Sequence, residues 1–323
     1  MKLLASVAWP LARPIGRRHR LADAAMGIAA IAMTVAATLA EPLDHAMQQA
    51  GIDTGKDTAS TRDAGSELSR LALPTREVMI GAYAGAPYTY PSTVSLKKSG
   101  QHDFSVEDVE WEAKPFESPI YYGARVIRWF DGGRTGAMVD FTHSKALSLL
   151  GQEKVFKGTI SGAPAPAKAI LGDVFRRLEF SHGHNMLTLN GLWRLAFNLP
   201  RLSPYVGAGI GINLPHSEVQ LKTAPGRTYE YQYTGPVAQA VIGIEFRVPR
   251  MSYFFEYKFS IASYEVPLTH RDGSILFVDL WRQFTRWLSG EEPPGGFAWT
   301  RLTSHQVIGG IGLRVGATPA AAP

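Results

Sequence analysis

Eight stretches of this chain alternate apolar and polar residues with a period of two, and the connections between them alternate short and long. The stretches are Glu77–Gly85, Ile120–Phe130, Thr135–His143, His184–Phe197, Ser203–Asn213, Gly235–Val248, Ser252–Tyr264 and Thr303–Val315. The short links are Asp131–Arg134, Phe197–Leu202 and Pro249–Met251; the long ones are Ala86–Pro119, Lys145–Gly183, Leu214–Thr234 and Glu265–Leu302. Period-two stretches of this length cross a bilayer when tilted. Tight turns at one end and long loops at the other are the signature of an outer-membrane barrel. The pattern predicts an all-β fold, an eight-stranded antiparallel up-and-down transmembrane barrel over residues 76–315.

One face of each strand reads as lipid-facing. Ile80, Ala82 and Ala84, then Tyr122, Ala124 and Val126, then Leu187, Leu189 and Trp193 point outward, as do Tyr253, Phe255, Tyr257 and Phe259. The opposite parity carries Arg125, Asp140, Asn190, Glu245, Glu256 and Lys258. Eight strands are too few for a channel, so these charges are expected to fill the lumen in pairs of opposite sign. Aromatic residues near the strand ends suggest two interfacial girdles: Trp129, Phe130, Trp193, Phe197 and Tyr253 at the turns, and Tyr83, Tyr121, Tyr122, Phe141 and Tyr264 at the long loops.

The flanks read differently. Residues 1–40 suggest an export signal, with a basic start (Lys2, Arg13, Arg17, Arg18, Arg20), an apolar run Met26–Ala36 and small residues at Thr38-Leu39-Ala40. Residues 41–75 read as a flexible polar leader and 316–323 as a disordered tail. Barrels commonly end on an aromatic residue that the barrel assembly machinery reads; here the last strand ends near Val315. The formal charge of +5 falls close to neutral once the signal is set aside, which leaves no argument for a nucleic-acid partner. Zero cysteines exclude disulfides, thiolate catalysis and thiolate metal sites.

Candidate chemistry gathers at the long-loop ends. His143, His184, His216 and His305 all fall there, with His182 beside His184 and with Glu179 and Glu218 as carboxylate companions. By parity His143, His216, Glu218 and His305 face outward, at the height of the lipopolysaccharide disaccharide, and His184 faces inward. Imidazole serves as base or metal ligand at neutral pH. A serine hydrolase is disfavoured, because His143 and Ser144 are neighbours on a strand and point to opposite faces. The glycine run Gly207-Ala208-Gly209-Ile210-Gly211 lacks the strand–turn–helix setting of a phosphate loop. Trp281–Leu288 predicts a short amphipathic helix on the membrane face.

Several motifs resemble one family. Ser118-Pro119-Ile120-Tyr121-Tyr122-Gly123, Asp140-Phe141-Thr142-His143-Ser144-Lys145, Glu179-Phe180-Ser181-His182-Gly183-His184-Asn185, Pro215-His216-Ser217-Glu218, Glu256-Tyr257-Lys258 and Ser304-His305-Gln306 resemble the outer-membrane lipid A oxidases of rhizobia and related bacteria. The resemblance spans strands two to eight. It implies oxidation of the proximal glucosamine of lipid A to 2-aminogluconate, with molecular oxygen as co-substrate and lipopolysaccharide as partner. Removing a hydride equivalent at C1 needs an electron acceptor that no side chain of a cysteine-free chain supplies, so a divalent redox metal is expected among His143, His216, Glu218 and His305, with His143, His184, His216 and His305 catalytic. Arg125, Lys145 and Asn190 would position the substrate. The competing expectation is a non-enzymatic surface barrel, serving adhesion or envelope integrity through its long loops.

Overall fold

The computed structural model describes residues 77–130, 133–195, 201–248 and 250–315. The expected signal, leader and tail lie outside them. Eight strands form the wall: β1 Glu77–Thr89, β2 Tyr122–Trp129, β3 Thr135–Ser148, β4 Phe175–Arg194, β5 Leu202–Asn213, β6 Gly235–Arg247, β7 Met251–Pro267 and β8 Phe297–Val315. Each pairs antiparallel with the next, and β8 returns to β1 with Val78 opposite Val315, so the ring is closed. Closure satisfies every edge, the condition for crossing a bilayer without helices. Among the described residues no helix is long and apolar enough to cross a membrane.

The alternation arises because one face meets lipid and the other a filled lumen. Ile80, Val126, Val139, Leu189, Ile210, Ile242, Phe255, Ile311 and Leu313 are exposed on the outside. Inside, the Arg125 guanidinium grips both oxygens of Glu256 (2.9 and 3.0 Å) and reaches Asp140 (3.1 Å). Lys258 bonds Asp140 and Tyr83, and the Tyr205 hydroxyl donates to Glu256 at 2.7 Å. Two cations and two anions thus neutralise one another. At the turn end Glu77 accepts from Arg194, Arg247 and Arg314.

Four expected girdle residues are corrected. Trp129, Tyr83 and Tyr121 point into the lumen, where Arg194 lies over the Trp129 ring and the Tyr121 hydroxyl donates to Gln306. Tyr264 is buried in the upper core. Their parity is inward; the Tyr83 and Tyr121 hydroxyls find hydrogen-bond partners there, while the Tyr264 hydroxyl is buried without one. Phe130, Trp193, Tyr122 and Tyr253 do face outward; Phe197 lies outside the described residues.

The long connections are less loop than expected. β3, β4, β7 and β8 run past the rim. The segments between them add strands Ser92–Lys98, His102–Val109 and Glu153–Ile160 and the hairpin His216–Leu221/Thr228–Tyr231. The strand Ser92–Lys98 pairs with the upper end of β8. Together they enclose a second, apolar core that includes Leu96, Phe104, Val106, Phe156, Phe175, Phe180, Leu221, Tyr264 and Leu302. This cap stands above the membrane on a wall shared with the barrel.

Candidate functional site on the outer wall

A bulge in β4 builds the site. Between Phe180 and His184 β4 advances four residues while its partners on β3, Ala146 and Ser144, differ by two. Two extra residues are therefore accommodated, and because the excess is even the inward and outward parity is kept. The bulge projects Ser181, His182 and Gly183, the last with φ +141°, a conformation favouring glycine. On the other side β5 ends at Asn213. The chain turns through Leu214-Pro215, and His216–Leu221 rejoins β4 above the bulge with Glu218 opposite Glu179.

His143, on β3, lies outward and is stacked on Tyr122 (centroids 4.7 Å, interplanar 19°). Its Nδ1 is 2.8 Å from Asn185 Oδ1, and Asn185 Nδ2 donates to the Leu214 carbonyl at 3.1 Å. The amide oxygen can only accept, so Nδ1 carries the proton and Nε2 keeps a lone pair. His216 Nε2 donates to the Gly273 carbonyl at 3.0 Å, which leaves Nδ1 with the lone pair. Both free nitrogens are buried without a partner in the protein. Burial lowers the pKa of His216, so the ring is neutral at pH 7.

His182 joins the two. Its ring lies 5.6 Å from His216 and within electrostatic reach of His143. Tyr229 and Tyr231 flank His216 at 4.2 and 4.5 Å. Burial raises the pKa of both phenols, which hold their protons. Ser181 Oγ donates to Glu218 at 3.0 Å, and Arg227 donates to the other oxygen at 3.0 Å. Glu179 is pushed up, first by burial and then by the Glu218 carboxylate beside it. Lys145, also outward on β3, donates to the Glu117 carbonyl at 2.9 Å at the edge of the cluster.

The structure brings together His143, His216, Glu218 and Lys145 of the residues expected from sequence, and separates the rest. Arg125 and Asn190 are in the lumen: Arg125 is held by Asp140 and Glu256, and Asn190 bonds Thr188 and Gln239. Both inward positions are closed off from lipid substrate by the wall itself. His184 is inward too, buried against Phe180 and Tyr264 in the cap core. His305 faces outward but on β8, three strands from β3 around the ring, where Tyr90 and Tyr257 occupy both its nitrogens. The expected metal set therefore does not fit. His305 is elsewhere, both Glu218 oxygens are engaged, and among the described residues no three histidine or carboxylate side chains gather to hold an ion. Sequence reasoning missed His182, Asn185, Tyr229 and Tyr231 as a group, since only the bulge and the hairpin bring them to His143 and His216.

No protein-family model matches the chain, and no curated protein does. Among solved structures it is similar to the outer membrane protein OprG from Pseudomonas aeruginosa (9% identity, TM-score 0.37, covering 76% of this chain and 98% of that one). It is likewise similar to Neisserial surface protein A (10%, TM-score 0.31, 74% and 96%). Likeness at this level carries no argument about function. The closed ring, its apolar exterior and its filled lumen are the properties of a transmembrane β-barrel of the outer-membrane type.

Proposed function

We propose that this barrel modifies lipid A in the outer leaflet, and that the reaction is the oxygen-dependent oxidation of the proximal glucosamine to 2-aminogluconate that the family resemblance implies. The observation supporting this reading is the pair of neutral imidazoles with free nitrogens on the lipid side of the wall. Oxidation breaks the C1–H and anomeric O–H bonds and forms the lactone carbonyl. Dioxygen takes the two electrons and two protons and leaves as hydrogen peroxide, and water opens the lactone. The chain supplies a base, His143 Nε2 or His216 Nδ1, for the anomeric proton. Tyr229 and Tyr231 offer rings and phenolic donors to the sugar, and the Lys145 ammonium offers a charge to a lipid phosphate.

The test is mass spectrometry of lipid A from a host that lacks this activity, makes 1-dephosphorylated lipid A and expresses the chain. One oxygen atom gained on the proximal sugar under air, and absent without oxygen, is the expected result. Unchanged lipid A beside folded, surface-exposed protein would leave the non-enzymatic surface barrel.

A further inference from the structure

Helix α1, Leu276–Ser289, is turned inside out relative to a helix on a soluble protein. Its inward side is polar. Asp279 is 2% exposed and accepts the Tyr231 N–H, while Gln283 both accepts from the Tyr233 N–H (2.8 Å) and donates to the Tyr233 carbonyl (2.7 Å). These bonds fix the rotation of the helix. Its outward side then presents Phe277, Trp281, Phe284 and Leu288, spaced four, three and four residues apart, with Trp287 beside them. Phe277 is 81% exposed and Trp287 69%. An aromatic face of that size left in water would be a liability for association.

Its position says what covers it. Tyr233, the anchor of α1, precedes Pro236 by three residues, roughly 10 Å of extended chain. Pro236 is opposite Ile212 on β5, where the apolar outer surface of that wall reaches its upper end. The helix thus lies just above the lipid-facing band, at the headgroup–acyl boundary where interfacial helices bury their apolar side roughly 5–10 Å deep. Arg282 and Arg286 lie on the same helix, where lipid phosphates would meet them. We infer that α1 is an interfacial anchor whose aromatic face is sunk in the acyl region of the outer leaflet, continuous with the barrel's own lipid contact. The anchor does not depend on the reaction proposed above. It holds Tyr231, and through the Gly273 segment His216, at headgroup height.

The chain has no cysteine, so single substitutions can be labelled cleanly. Nitroxide labels would be placed on Trp281→Cys, Phe284→Cys and, separately, Phe277→Cys in the full chain folded into phospholipid vesicles. Leu189→Cys on the lipid wall and Asp103→Cys on the cap serve as references. The anchor predicts that molecular oxygen relaxes the helix labels several-fold more than a water-soluble nickel chelate does, as at Leu189. Helix labels that follow Asp103 would place α1 in water and overturn the inference. Labels reached by neither reagent would show a protein covering, such as a second copy, and would overturn it too.

Discussion

Along β7 the buried side reads Glu256, Lys258, Ser260 and then Ala262, Tyr264, Val266, while the outer side reads Tyr257, Phe259, Ile261 and then Ser263, Glu265. The lower half of the wall is polar within and apolar without; the upper half, three residues further on, is the reverse. β4 changes over near Met186 in the same sense. The strand and its hydrogen bonds run on unbroken, so the solvent on the outside dictates the change. Below, lipid takes the apolar face and charges must pair inside. Above, water takes the polar face and burial of Phe104, Phe156 and Phe175 holds the cap. The candidate site lies outside this changeover, where the wall passes from lipid to water.

The largest expected effect comes from breaking the lower interior. Arg125→Met leaves Asp140 and Glu256 in excess over Lys258 and should cost about 3–5 kcal/mol, measured as a lower urea midpoint in vesicles. Adding Glu256→Gln should recover part of the loss, because neutrality returns. In the upper half Phe104→Ala should cost about 3 kcal/mol. The damage should be confined to the cap, giving proteolytic cuts there while the barrel still resists. A single global transition for both variants would show that the two halves are one cooperative unit.

The outer faces can be compared with one kind of change. Leu189→Arg, on the lipid side, should destabilise by about 2–4 kcal/mol. Ile170→Arg, also apolar and exposed but on the cap, should stay within about 0.5 kcal/mol. Parity between the two would mean that the level of the membrane has been misplaced.

The smallest effect is on pH. Burial depresses the pKa of His216 in the folded protein, so the unfolded chain, near 6.5, takes up the proton first as pH falls. The stability contributed by neutral His216 is present above about 6.5 and lost below it. Activity that uses it as a base should keep its acid limb below 6.5, as a pH profile of lipid A conversion would show. His216→Gln should remove the corresponding slope in stability.

The barrel was legible because lipid and lumen impose a strict period of two, and a spacing of short and long links that a soluble sandwich has no reason to keep. The cap was not. Past Tyr264, Val266 still alternates inward and Ala298 and Leu302 resume the pattern on β8, but the apolar parity no longer marks the outside, so these residues read as loop. The outward parity of His143 and His216 was legible for the same reason as the strands. The grouping was not, since it depends on a two-residue bulge at Ser181–Gly183 and on a hairpin that brings Tyr229 and Tyr231 back to β4. The alternation that puts Arg125 and Asn190 in the lumen also bars them from lipid, since an intact wall stands between.

The most direct measurement compares lipid A from cells expressing His216→Ala, His143→Ala and His305→Ala at equal levels of folded protein. The first two are expected to lose the added oxygen, by a factor of about a hundred or more, while His305→Ala retains it. Equal activity in all three, or loss in His305→Ala alone, would contradict the placement of the site on the outer wall at the β4 bulge.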